Sequence, residues 1–201
     1  MKRTTLNMTA AIMTMTGLGM GTAVAGEAST SATASNGWSG RGTTAATANY
    51  TGDDNSVGIA RTRTNSTGNV NTARGLAVGV DEDGLDFSFS HAIASKFGPA
   101  YAGTLNLSVG RDGEVSGSYG NSTATGGTER SATASGVTRV DRRGATSSAV
   151  TGGDTRNGGT VRATSNSYNS DSRRDRIDSR SRTRLPDRIR RVPSSARSSW
   201  R

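Results

Sequence analysis

The chain has 201 residues, no cysteine, a hydrophobic fraction of 31% and an aromatic fraction of 4%. These figures exclude a disulfide framework, exclude a metal site built on thiolates, and leave too few large apolar residues for a thick core. The formal charge of +9 is unevenly placed: residues 26–170 hold twelve basic and twelve acidic residues, whereas 171–201 hold eleven Arg and four Asp.

Residues 1–25 read as an export signal. Met1-Lys2-Arg3 supplies the positive start, Ala10 to Val24 is apolar though diluted by Thr and Gly, and Ala23-Val24-Ala25 offers a small-x-small cleavage site before Gly26. The mature chain is therefore expected to be exported, whether secreted, on the cell surface or periplasmic. No other stretch approaches the ~18 apolar residues of a membrane-spanning helix.

From residue 26 to 170 the sequence is punctuated at regular intervals. Asp54, Asp83, Asp112 and Asp141 are spaced 29 apart, each within a polar cluster that reads as a turn. A second set lies between them: Asn65 to Gly68, Lys96 to Pro99, Thr125 to Gly127, and Arg156 to Gly159. Between these turns the residues alternate. Leu85, Phe87, Phe89, His91 and Ile93 share one parity, and Asp86, Ser88, Ser90, Ala92 and Ala94 the other; Tyr101, Leu105, Leu107 and Val109 alternate likewise. Period-two alternation, frequent β-branched Thr and Val, recurrent Gly and scarce helix formers predict strands.

The expected fold is all-β, built on a ~29-residue two-strand repeat as either a β-solenoid or an antiparallel meander. Large apolar residues concentrate in the centre, so order is expected to be best over about 57–140 and to fade outside it. Phe87, Phe89, Ile93, Tyr101, Leu105, Leu107 and Val109 are the candidate core or assembly residues. The basic segment 171–201 reads as a disordered low-complexity tail, interrupted by Pro186 and Pro193. Its Arg173, Arg174, Arg176, Arg180, Arg182, Arg184, Arg188, Arg190 and Arg191 are candidates for contact with a polyanion such as lipopolysaccharide, DNA or acidic polysaccharide.

Catalytic and metal chemistry find no support. His91 is the single histidine, and it shares the apolar parity with Phe89 and Ile93. Ser and Asp are so common that a triad drawn around it carries no information. Asp53-Asp54 and Asp81-Glu82-Asp83 offer hard oxygen ligands, but Arg111 and Arg142-Arg143 occupy the equivalent turns, and solvated turn charges are the simpler reading. Asp53-Asp54-Asn55-Ser56-Val57-Gly58-Ile59 resembles the head repeats of trimeric autotransporter adhesins. The pairs Thr62-Arg63-Thr64 and Thr123-Ala124-Thr125 resemble the Thr arrays of insect ice-binding proteins. Neither likeness assigns a role to any residue.

The sequence thus points to an exported, non-enzymatic β-repeat protein of the cell surface or extracellular matrix that associates with itself. It would use no cofactor, and no small-molecule substrate is identified. A polyanion-binding module acting through the tail is the alternative. A small outer-membrane barrel ranks third, because the outward parity lacks a continuous apolar band and aromatic girdles.

Overall fold

The computed structural model describes residues 26–38, 42–170, 177–185 and 194–198. They form twelve strands and no helix: β1 (Gly26–Gly37), β2 (Thr44–Thr51), β3 (Val57–Ser66), β4 (Val70–Val80), β5 (Gly84–Ser95), β6 (Ala100–Gly110), β7 (Val115–Thr125), β8 (Glu129–Asp141), β9 (Gly144–Arg156), β10 (Thr160–Ser170), β11 (Ile177–Leu185) and β12 (Ser194–Ser198). Every polar cluster recognised in the sequence lies at a junction between two strands. The turns are built from local chemistry. Asp81 Oδ1 accepts the amides of Asp83 and Gly84, both at 2.9 Å. At the β6–β7 turn Gly113 takes φ +83°, a left-handed conformation that glycine adopts without steric cost, and its N–H donates to Gly110 O.

The strands divide into a five-stranded sheet, β12-β9-β8-β1-β2, and a seven-stranded sheet, β11-β10-β7-β6-β5-β4-β3. All ten strand pairs among the described residues are antiparallel. Stacked solenoid coils would set like strands side by side in parallel, so this arrangement follows the meander over β3–β7 and departs from a solenoid. The 29-residue spacing is a spacing of turns rather than of one stacked unit. The β4–β5, β6–β7 and β8–β9 connections are hairpins within a sheet, whereas β2–β3 crosses from one sheet to the other.

The two sheets pack face to face, and their interior is made of small residues. Ala28, Ala32, Ala34, Ala73, Ala92, Ala102, Ala134 and Ala163 are buried, together with Ser88, Ser90, Thr104, Asn106, Ser118 and Thr138. The alternation read from the sequence is present with the opposite sense: the Asp86-Ser88-Ser90-Ala92-Ala94 parity faces inward. The physical reason is thickness. Strands β1, β2 and β9 offer mostly Ala, Ser, Thr and Gly, so a row of Phe beneath β5 would hold the sheets apart and leave voids elsewhere. With only small side chains inside, one sheet touches the backbone of the other. A Cβ on Gly75 would lie 2.5 Å from Thr47 O, and Ser88 Oγ donates to Gly136 O at 3.2 Å.

Alanine burial contributes little per residue, so the interior relies on paired polar groups. Thr30 Oγ1 lies 2.8 Å from both Ser88 Oγ and Ser90 Oγ. Ser88 Oγ donates to Asn106 Oδ1 at 2.7 Å, and Asn106 Nδ2 donates to Ser118 Oγ and to Ser148 O in the opposite sheet. Order does not fade outside the central repeats: β1, β2, β9 and β10 are complete strands, because the backbone ladder and this network hold them where large apolar groups are missing.

At one end of the sandwich the buried Arg130 guanidinium donates to the carbonyls of Gly127 (3.1 Å), Ser95 (3.2 Å) and Lys96 (2.7 Å), tying the β5–β6 turn to β7–β8. Arg130→Ala leaves these carbonyls without their charged donor and should cost about 2–3 kcal/mol. In thermal unfolding that is a fall of roughly 5–10 °C. Arg139→Ala, whose side chain is half exposed in a surface pair with Asp141, should change little. Equal shifts in the two variants would show that Arg130 does not close this end.

Candidate interaction face

The residues expected to form a core or assembly surface share one place. Phe87, Phe89, Ile93, Tyr101, Leu105, Leu107 and Val109 all lie on the outer face of the seven-stranded sheet, on the parity opposite the buried one. Register places them in rows with further apolar residues of the neighbouring strands. Val78, Phe87, Leu107, Gly117 and Tyr168 form one row across β4, β5, β6, β7 and β10; Leu76, Phe89, Leu105 and Tyr119 form the next; Val80, Leu85, Val109 and Val115 border them. Ile59 and Val57 continue the rows onto β3. Leu105 is 52% exposed, Tyr119 49% and Leu107 38%.

Three such rows over five or six strands cover on the order of 500 Å² at ~4.8 Å between strands and ~6.8 Å between same-face residues. That is at the upper end of what a monomeric protein leaves uncovered. Gly117 lacks a side chain in the middle of the field, and Phe87, Leu105, Leu107, Tyr119 and Tyr168 wall the resulting depression of about 360 Å³. The missed members, Tyr119 and Tyr168, were hidden because each is the one aromatic residue in a strand made mostly of Ser, Thr, Asn, Gly and Ala, with a single Val near its start. Only cross-strand register gathers them.

A polar border lies along the same face. Phe89, His91 and Tyr101 form an aromatic ladder, with ring centroids 5.7 and 5.4 Å apart. Burial, with Arg74 nearby, lowers the His91 pKa from its ordinary value. Arg74 stands opposite His91 on one side and Arg63 on the other. Arg63, Asn65, Thr72 and Arg74 line a shallow notch, and neither arginine has a carboxylate partner among the described residues.

The outer face of the five-stranded sheet is different in kind. Its strands present hydroxyls, with Ser31 Oγ 2.7 Å from Thr47 Oγ1 and Thr33 Oγ1 donating to Thr133 Oγ1 at 3.2 Å. The apolar field therefore covers one sheet alone, unlike the belt of a lipid-facing barrel.

The basic segment is only partly described. Arg173, Arg174, Arg176, Arg188, Arg190 and Arg191 lie outside the described residues. Two of its stretches are strands, which corrects the expectation of a wholly disordered arm. In β11 Arg180, Arg182 and Arg184 stand opposite Asn166, Thr164 and Arg162 of β10, and β12 pairs with β9. The sequence Ser179-Arg180-Ser181-Arg182-Thr183-Arg184-Leu185 alternates with period two, and β10 would otherwise leave an unpaired edge.

The acidic turns spend their carboxylates locally. Asp53 Oδ1 accepts Asn55 N, Asn55 Nδ2 donates to Glu82 Oε1, and no group of three metal-ligating side chains occurs among the described residues. One acidic residue is unlike the rest. Asp86 is 2% exposed at the sandwich end opposite Arg130, accepts hydrogen bonds from Ser108 Oγ and Val140 N, and has no cationic partner among the described residues. Burial raises its pKa to about 7, reinforced by the Asp81 charge and opposed by hydrogen bonds from Ser108, Thr138 and Val140.

No family model matches this chain, and neither a curated protein nor a solved structure is similar to it. What the residues define is an antiparallel two-sheet β protein with a small-residue interior and one apolar outer face.

Proposed function

We propose that this is an exported, non-enzymatic structural protein of the cell surface or extracellular matrix, which associates with copies of itself through the apolar face of the seven-stranded sheet. The supporting observation is the placement of the large side chains. The chain has few of them, and most are set in register on one outer face. Two such faces in contact would bury on the order of 1,000 Å², the lower range of a specific interface. The turn spacing of 29 residues is, in this reading, the trace of a two-strand unit. Strands β5 and β6, the most apolar, are central in their sheet, so association through strand edges would fall to β2, β3, β11 or β12 and not to them. Arg61 and Arg63 charge the β3 edge against it. The mature chain should sediment as a dimer or larger species at micromolar concentration and show particles or fibres in negative stain. A single monomeric boundary at all concentrations would end this reading.

A second reading, polyanion contact, is favoured by Arg63 and Arg74, which stand beside each other on the same face with no carboxylate partner among the described residues. Like charges placed directly opposite are unfavourable unless an anion joins them. A chain ending at Ser170 should then keep part of its retention on heparin and lose it on Arg63→Ser with Arg74→Ser. Complete loss on truncation alone would assign binding to the basic segment.

A further inference from the structure

We propose that cleavage between Ala25 and Gly26 creates an α-ammonium group that docks between the carboxylates of Asp81 and Asp86, so that removal of the export signal completes the folded sandwich. The inference rests on the export reading, which marks Gly26 as the new first residue from sequence alone.

Gly26 opens β1, which is internal to the five-stranded sheet, between β8 and β2, and it is buried. It pairs with Val140, whose N–H donates to Asp86 Oδ2 at 3.2 Å. The carboxylates converge on it: a Cβ at position 26 would lie 2.1 Å from Asp81 Oδ2 and 3.0 Å from Asp86 Oδ2. The α-nitrogen is one ~1.5 Å bond from the same Cα. A side chain at this position would have to push these carboxylate ends aside, which a first residue without a side chain does not do.

Two buried charges here answer each other. A mature amino terminus at Gly26 would put a positive charge at a buried position, which is costly without a partner. Among the described residues Asp86 is a buried carboxylate without a cation, and Tyr50 Oη is buried in the same corner without a hydrogen-bond partner. Among the described residues the titratable groups facing this corner are Asp81 and Asp86 from the seven-stranded side and Tyr50 from β2, with Asp53 acting on Tyr50; none of these is cationic. While the signal is attached, Gly26 N is an uncharged amide and Asp86 is held near neutrality by its raised pKa. A group raised in this way supports the fold below its ordinary carboxylate range, and that support is lost as pH rises from about 4 to about 7. An ammonium beside it removes the penalty.

The test compares a chain that starts at Gly26, released from a fusion that leaves nothing before it, with a chain that keeps Ala23-Val24-Ala25. At pH 7 the free-amine chain should have a folded-to-unfolded ratio at least about tenfold higher, about 1.4 kcal/mol. The extended chain should lose stability between pH 4 and 7, and the free-amine chain should not. Asp86→Asn should remove the pH 4–7 loss in the extended chain and shrink the difference, and Asp81→Asn added to it should erase what remains. Should that variant fail to fold, the α-amine of the unmodified chain gives a second reading by acylation rate: protected and titrating above its ordinary range if docked. Equal stability of the two chains across this pH range, or an amine of ordinary reactivity, overturns the proposal. N-terminal sequencing of exported protein checks the cleavage separately. A first residue other than Gly26 overturns the cleavage site and an intact Met1 in the cytoplasm overturns the export reading, and the stability comparison tells these failures apart from failure of the ion pair.

Discussion

Gly136→Val should abolish the folded state. Gly136 faces inward on β8, and a Cβ there would lie 1.8 Å from Asn106 Oδ1 and 2.4 Å from Asn106 Cγ. Asn106 is 1% exposed and cannot swing aside into solvent. Its amide accepts from Ser88 and donates to Ser118 and Ser148 O, so moving it strands several buried polar groups. Overpacking costs about 1–3 kcal/mol, and each buried polar group left unpaired costs about 1–3 kcal/mol more. The sum matches the whole stability of an ordinary domain, about 5–15 kcal/mol. Far-UV circular dichroism and thermal unfolding measure it, with Ser135→Val on the outer face of the same strand as the control. Valine suits an exposed strand position, so that control should melt within a few degrees of the parent. If Gly136→Val melts there too, the sheets are not in the close contact described.

The combined variant Leu105→Ser, Leu107→Ser and Tyr119→Ser should give the opposite pattern: an intact fold and lost association. Each side chain is exposed by more than a third, so its removal opens no internal cavity. If the apolar field is where copies meet, three truncations at its centre should each weaken the contact by about 1–3 kcal/mol, since a few central aromatic and aliphatic residues dominate such interfaces. Together they should lower self-association by roughly a thousandfold or more. Sedimentation velocity and negative-stain imaging give the readout, and thermal unfolding verifies the fold. A variant that assembles like the parent removes the face from the mechanism. A variant that unfolds would mean these side chains support the sandwich itself.

The two variants also separate what was legible in the sequence from what was not. Strand existence and boundaries were written locally. Asp81 caps its own turn, Asp112-Gly113 supplies a left-handed glycine, and period-two alternation marks the stretches between. The inward sense of that alternation was not local. Phe87 and Ser88 alternate identically whichever faces in, and the choice depended on what β1, β8 and β9 could bring against them. Because those strands bring Ala, Ser and Gly, the small parity closed inward and the large one was left outside.

Long-range register decided the rest. Tyr119 and Tyr168 are isolated in sequence and neighbours of Leu105 and Phe87 only across the ladder. The β4–β5 connection stays within one sheet and β2–β3 crosses to the other, although both are short acidic clusters in the sequence. Asp86 and Gly26 are 60 residues apart in the chain, and no pattern of spacing joins them. By itself the sequence determined an all-β chain cut into strands at chemically specified turns, because turns and alternation depend on neighbouring residues. The tertiary structure alone decided which face is buried and which distant groups meet, because these follow from the thickness that two sheets must share.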